Sequence, residues 1–186
     1  MDKLLLLDRD GVINQDSDAF VKNADEFIPL PGSIDALARL YKAGWTLAIA
    51  TNQSGLARGK FSQDDLDAMH TKLLKLLHQQ GADLHHIAWC PHGPDDGCDC
   101  RKPKPGLLHQ ISMALNVELK GAIMVGDALR DLQAGAAAGC QRLILVRTGK
   151  GLKTLAETPA AEIQQLGIEV VDDLAQLANQ LLQSDC

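Results

Sequence analysis

The sequence runs to 186 residues, the size of one ordinary domain, and its 46% hydrophobic and 23% charged residues exclude a disordered chain. No apolar run approaches the roughly 20 residues of a membrane span, and the apolar start is too short for a signal-peptide core, so a cytoplasmic protein without a membrane partner is expected. A net charge of −6, no basic arm and only 3% aromatic residues argue against a nucleic-acid partner, which would require several phosphates to be neutralised at once.

Residues 3–7 form an apolar strand-like run that ends in LDRDGVIN. Extended backbone turns Asp8 and Asp10 to one side and Arg9 away from them. Two carboxylates held close together repel, and a shared Mg²⁺ resolves the conflict while leaving one acid to attack phosphorus and the other to handle a proton. Gly11 allows a sharp turn there. The pattern on its own is equally a strand ending in a solvated turn. A long loop over 8–32 follows, carrying Asp16, Asp18, Asp25 and Glu26. These acids suit sugar hydroxyls, a cationic amine or plain solvent.

A helix is expected over 33–43, with Ser33 as its N-cap, and then a strand over 46–50. That strand runs into TNQSG, where Thr51, Asn52, Gln53 and Ser54 offer donors to phosphate oxygens, or form an ordinary strand–helix turn. Arg58 and Lys60 stand just beyond, as cations free for a further phosphate. Ser62 with Asp65 reads as a capping box opening a helix over 62–80.

A short strand over 87–90 leads into CPHGPDDGCDC. Cys90, His92, Cys98 and Cys100 form a Cys₃His set suited to tetrahedral, structural Zn²⁺ with no open position. Of the other cysteines, Cys140 reads as a packed thiol and Cys186 as a tail residue. RKPKPG then places Arg101 and Lys102 ahead of a helix over 106–115. The next strand, 122–125, ends in VGDALRD. Asp127 at its tip can complete a carboxylate cluster for Mg²⁺. Asp131, one helical turn on, either orders the loop or stabilises the N-terminus of a helix over 129–138. Strands over 142–146 and 168–171 and a helix over 174–183 complete the chain.

Strands alternating with helices predict an α/β fold of one domain over 1–186, a mainly parallel sheet with helices on both faces. The chemical loops all follow strands, so they converge on one edge. No heptad or apolar stripe argues for assembly, and a monomer is expected.

LDRDGVIN, TNQSG, RKPKPG and VGDALRD, taken together over about residues 3–150, resemble the four motifs of the haloacid dehalogenase superfamily of phosphatases. The resemblance implies a Rossmann-like fold and makes Asp8 the nucleophile that forms an aspartyl-phosphate and Asp10 the general acid/base. It further implies that Thr51 holds the phosphoryl group, that Lys102 neutralises charge, and that Asp127 completes the Mg²⁺ site with Asp8 and Asp10. TNQSGLARGKF, the zinc loop and VRTGKG make the chain similar to the branch acting on sugar bisphosphates, with Asp16, Arg58, Arg101 and Arg130 as further substrate contacts. A branch acting on histidinol phosphate shares the acid pair and the zinc loop, and enzymes trimming polynucleotide 3′ ends use similar motifs. One departure stands out: some members of that branch carry a substrate-touching lysine where this chain has Ala128. With the motif strands accounted for, few residues remain for a lid, and a capless enzyme is expected.

Overall fold

The four leucines Leu4–Leu7 form the first strand, β1, and every one of them is buried. Alternation along the strand sends Leu5 and Leu7 to one face and Leu4 and Leu6 to the other, and each pair joins a separate apolar core. A strand that is apolar on both faces has to lie inside a sheet covered on both sides.

A computed structural model of the chain, describing residues 3–184, shows that sheet. β1 is followed by helix α1 (Ser33–Lys42), β2 (Thr46–Asn52), α2 (Gln63–Gln79), β3 (His86–Cys90), α3 (Gly106–Leu115), β4 (Ile123–Gly126), α4 (Leu129–Ala137) and β5 (Arg142–Val146). Two short helices, α5 (Gly151–Glu157) and α6 (Ala160–Leu166), then precede β6 (Ile168–Val171) and α7 (Leu174–Ser184). The strands form one six-stranded sheet in the order β3-β2-β1-β4-β5-β6, and all five pairings between neighbouring strands are parallel. Residues of α1, α2 and α7 pack with Leu5 and Leu7, and residues of α3 and α4 with Leu4 and Leu6. The expected α/β architecture is therefore present, and among the described residues no inserted domain covers the sheet edge.

All six expected strands form. α5 and α6 escape the pattern because one buries only Gly151 and the other buries nothing, so neither carries an apolar stripe to read. Ser62 and Asp65 make the expected capping box on α2. Ser33 does not cap α1: its hydroxyl donates to the carbonyls of Ile13 and Leu30, and left-handed Gly32 precedes the helix instead. Among the described residues no helix is long and apolar enough to cross a membrane. Cys186 lies outside the described residues.

The strand order turns around between β1 and β4. β2 and β3 extend one way from that point, β5 and β6 the other, which opens a crevice at the carboxyl ends of β1 and β4.

Candidate active site

Asp8 and Asp127 are the first residues beyond β1 and β4. Leu7 pairs with Val125 in the ladder, and the Asp8 N–H donates to the Val125 carbonyl at 2.9 Å, so the two strand tips sit side by side. Carboxylate oxygens of Asp8, Asp127 and Asp131 all lie within 4.8 Å of one another. Lys102, buried to 1% exposure, reaches in from the loop after β3. Its Nζ stands 3.0 Å from Asp8 Oδ1 and 2.7 Å from Asp131 Oδ1, and donates to the Ala50 carbonyl at 2.7 Å.

One ammonium stands among three carboxylates, and the surplus negative charge appears in the proton affinities of Asp8 and Asp127. Burial, then the Asp131 charge, lifts Asp8 to about 6 against the opposing pull of Lys102. Burial, then the charges of Asp8 and Asp131, lift Asp127 to about 8. A buried cluster of this kind fits a hard divalent cation, which takes carboxylate oxygens and offsets their repulsion.

The third acid of the cluster is Asp131, not Asp10 as the sequence led us to expect. Both Asp10 oxygens are engaged elsewhere. Oδ1 accepts from Arg9 Nε at 3.1 Å, Arg9 Nη2 at 2.9 Å and Asn14 Nδ2 at 2.8 Å, while Oδ2 accepts from Gln53 Nε2 at 3.1 Å. Arg9 was expected to turn away; its guanidinium instead curls back, fully buried, and captures its neighbour. Burial pushes the Asp10 carboxyl up, but the Arg9 charge with the Asn14 and Gln53 donors outweighs it and holds Asp10 below the usual range. Asp131 also serves the start of α4, accepting from the Ala128 N–H at 3.1 Å.

Thr51 ends the buried part of β2, with its hydroxyl accepting from Gln53 Nε2 at 2.9 Å. Asn52 clamps the Lys102 main chain: its Nδ2 donates to the Lys102 carbonyl at 3.1 Å and its Oδ1 accepts from the Lys102 N–H at 3.0 Å.

The turn after β5 contributes contacts that the motifs did not reveal. The Lys150 N–H donates to Asp127 Oδ2 at 2.8 Å, and Thr148 Oγ1 donates to the Gly11 carbonyl at 2.7 Å. Gly11 and Gly149 both have positive φ, +84° and +57°, and a Cβ on either would collide with the Asp127 carboxylate. The glycines of VRTGKG were the only visible signal for this cradle.

A cavity of about 250 Å³ opens above these groups. It is lined by the expected Asp8, Asp10, Asp16, Asn52, Gln53, Ser54, Arg58, Arg101, Lys102, Asp127 and Arg130, with Thr51 behind them. Asp18, one of the loop acids the sequence offered, lines it too, as do Ser17, Phe20, Val21 and Lys150, which sequence reasoning had not singled out as site residues. Asp16 faces Lys150 at 3.4 Å, and the Arg58 guanidinium lies 5.9 Å from the centre of the Phe20 ring. Burial, then the Arg130 charge, lowers the proton affinity of Arg101, so several cations share one wall.

Beside this wall, the expected Cys₃His set is assembled. Cys90 Sγ lies 3.5 Å from His92 Nδ1, 3.6 Å from Cys98 Sγ and 3.0 Å from Cys100 Sγ, and His92 Nδ1 lies 3.4 Å from Cys100 Sγ. Ligands around a tetrahedral zinc stand roughly 3.5–3.8 Å apart, so the donor set and most of its spacings fit that ion. Arg101 Nη1 donates to the His92 carbonyl at 3.4 Å, tying the cation to the loop.

Known proteins share this arrangement. A family model described as haloacid dehalogenase-like hydrolase matches residues 2–139. The D-glycero-β-D-manno-heptose-1,7-bisphosphate 7-phosphatase of Pseudomonas aeruginosa is 55% identical over 180 residues, covering 97% of this chain and 98% of that protein. The crystal structure of the D,D-heptose 1,7-bisphosphate phosphatase of Bordetella bronchiseptica, complexed with magnesium and phosphate, has a TM-score of 0.91 and 55% identity, covering 98% of this chain and 99% of that one. The corresponding phosphatase of Burkholderia thailandensis superposes with a TM-score of 0.72 at 38% identity, covering 97% and 98% of the two chains. The paired strand-tip acids, the buried lysine and these matches along nearly the whole sequence lead to one conclusion: the chain belongs to the haloacid dehalogenase-like hydrolase family.

Proposed function

We propose that the chain is a phosphoric monoester hydrolase that removes the C7 phosphate of D-glycero-β-D-manno-heptose 1,7-bisphosphate, the activity for which its relatives are named. One observation carries the reading. Asp8 meets Asp127 beside a buried lysine, at the floor of a cavity whose rim holds Arg58, Arg101 and Arg130, none of them in an ion pair among the described residues. The floor suits a phosphate that reacts and the rim suits a second one that does not, since arginine forks onto phosphate oxygens.

Asp8 supplies the attacking oxygen. A new bond forms from Asp8 to phosphorus as the bond from phosphorus to the C7 oxygen breaks, and Asp10 gives that departing oxygen its proton. Asp10 rests ionised beneath Arg9; a substrate arriving with its C7 phosphate singly protonated supplies the proton, which passes through Asp10 to the departing oxygen. Asp10 then takes a proton from water, whose oxygen attacks the phosphorus, releasing phosphate and freeing Asp8. Lys102 holds the Asp8 oxygen in place, and Thr51 with Ser54 offers donors to the phosphoryl oxygens. Asp8 and Asp127, with Asp131 nearby, would hold Mg²⁺, which would supply charge neutralisation and polarisation of the phosphate. Cys90, His92, Cys98 and Cys100 would hold a structural Zn²⁺, and the closed clasp would steady Arg101 and Lys102 behind it. The whole chain acts as one domain, a cytoplasmic monomer binding neither membrane nor nucleic acid, and serves the supply of nucleotide-activated heptose for lipopolysaccharide.

The acidic loop favours this substrate over a cationic amine. Two of its four acids are paired, Asp16 with Lys150 and Glu26 with Lys22, so against Arg58, Arg101 and Arg130 the loop sets only Asp18 on the cavity wall without an ion pair among the described residues. Turnover across a panel tests the reading: both heptose bisphosphate anomers, histidinol phosphate and a 3′-phosphorylated oligonucleotide, each with Mg²⁺. The β anomer should give the highest kcat/KM by about tenfold or more. A higher value on histidinol phosphate or on the oligonucleotide would overturn the assignment.

A further inference from the structure

Nothing in phosphoryl transfer itself calls for the buried Arg9. Its side chain is fully enclosed, with Cζ 5.6 Å from the centre of the Phe27 ring. Asn14 and Gln53 each reach one oxygen of Asp10, whereas Arg9 Nη2 lies 2.9 Å from Oδ1 and 3.3 Å from Oδ2. Of the three, only the arginine fork spans both oxygens and so sets the plane of the carboxylate. The guanidinium has a second anchor. Arg9 Nη1 lies 3.2 Å from Nε2 of His70, a buried residue of α2.

Arginine only donates, so His70 Nε2 has to present its lone pair, and the ring is neutral with its proton on Nδ1. The ring packs against Trp89, with centroids 5.9 Å apart and planes inclined by 56°, which limits its rotation. The line therefore runs from Trp89 through the His70 ring and the Arg9 fork to the Asp10 carboxylate, each group buried or half-buried and each holding the next.

We infer that Arg9 and His70 are positioning residues for proton transfer: His70 accepts from Arg9 to fix the guanidinium, which fixes the orientation in which Asp10 meets the departing oxygen. The inference rests on the reading of Asp10 as the proton-transferring group. A misplaced Asp10 costs most where the departing group needs a proton, and least where it leaves as a stable anion.

That asymmetry separates positioning from general damage. Glutamine places an amide oxygen at the reach of Nε2, and asparagine stops one bond short of it. With the full chain and Mg²⁺, H70N should lower kcat on the heptose bisphosphate by about 30-fold with KM within about twofold. The same variant should release the first turnover of p-nitrophenolate from p-nitrophenyl phosphate at the wild-type rate, and H70Q should recover most of the loss on the sugar. A first-turnover release slowed as much as turnover of the sugar, or equal losses in H70N and H70Q, would overturn the inference. Should H70N fail to fold, R9K, which keeps the charge but loses the fork, carries the same expectations. D10N distinguishes the two levels of the argument. If D10N hydrolyses the sugar at the wild-type rate, the role of Asp10 falls and the inference with it; if D10N is impaired and H70N is not, only the inference falls.

Discussion

Two clusters capable of holding a metal lie close together, and they are built in opposite ways. The Cys₃His set comes from eleven consecutive residues, 90–100, and would exist in outline on any scaffold that closed the loop. The acid cluster draws Asp8 from the start of the chain and Asp127 and Asp131 from beyond β4, and it exists only because the sheet sets β1 against β4. The local cluster offers soft ligands in a closed set, and the distant one offers hard ligands at a cavity floor. One fold thus carries two candidate metal sites of different chemistry, and Lys102, two residues past the last cysteine, reaches from the loop of one to the acids of the other.

Breaking the distant cluster should have the largest effect. D8N should lower phosphate release by about 10,000-fold or more, with zinc content and thermal unfolding close to wild type, measured by phosphate assay, metal analysis and calorimetry. Breaking the local cluster should do less. C98S should lose zinc, become sensitive to protease between residues 90 and 105, and lose about tenfold in turnover while its Mg²⁺ requirement stays put. Normal turnover in a zinc-free C98S protein would show that the clasp has no catalytic consequence. The smallest effect sharpens the contrast between loop-borne and helix-borne cations. R130A, on α4, should narrow the difference in KM between the bisphosphate and a monophosphate ester by about fivefold, read from paired steady-state curves.

Much of this was legible in the sequence, for a physical reason. Apolar runs mark buried strands, so all six strands could be read, and the acids just past β1 and β4 marked where two of those strands end. The Cys₃His set was legible because it is local. What resisted reading was the reach of long side chains and the use of main chain. Alternation along β1 fixes where Cβ of Arg9 points, but a guanidinium is long enough to curl back to Asp10. With the Asn14 and Gln53 donors, that contact holds the Asp10 carboxylate apart from the three acids that cluster, Asp8, Asp127 and Asp131. Lys150 acts on Asp127 through its N–H, which no residue type advertises. The helices α5 and α6 lacked any apolar face to announce them.

The amide clamp of Asn52 on the main chain of Lys102 has a consequence for life under scarcity. It moors the ammonium to the sheet by a tether that needs no ion, whereas Arg101 hangs on the carbonyl of His92, inside the clasp. Loss of a zinc ion from that clasp should thus leave phosphate esters still cut, slowly, while the hold on Arg101 slackens. Fidelity would fail before hydrolysis does.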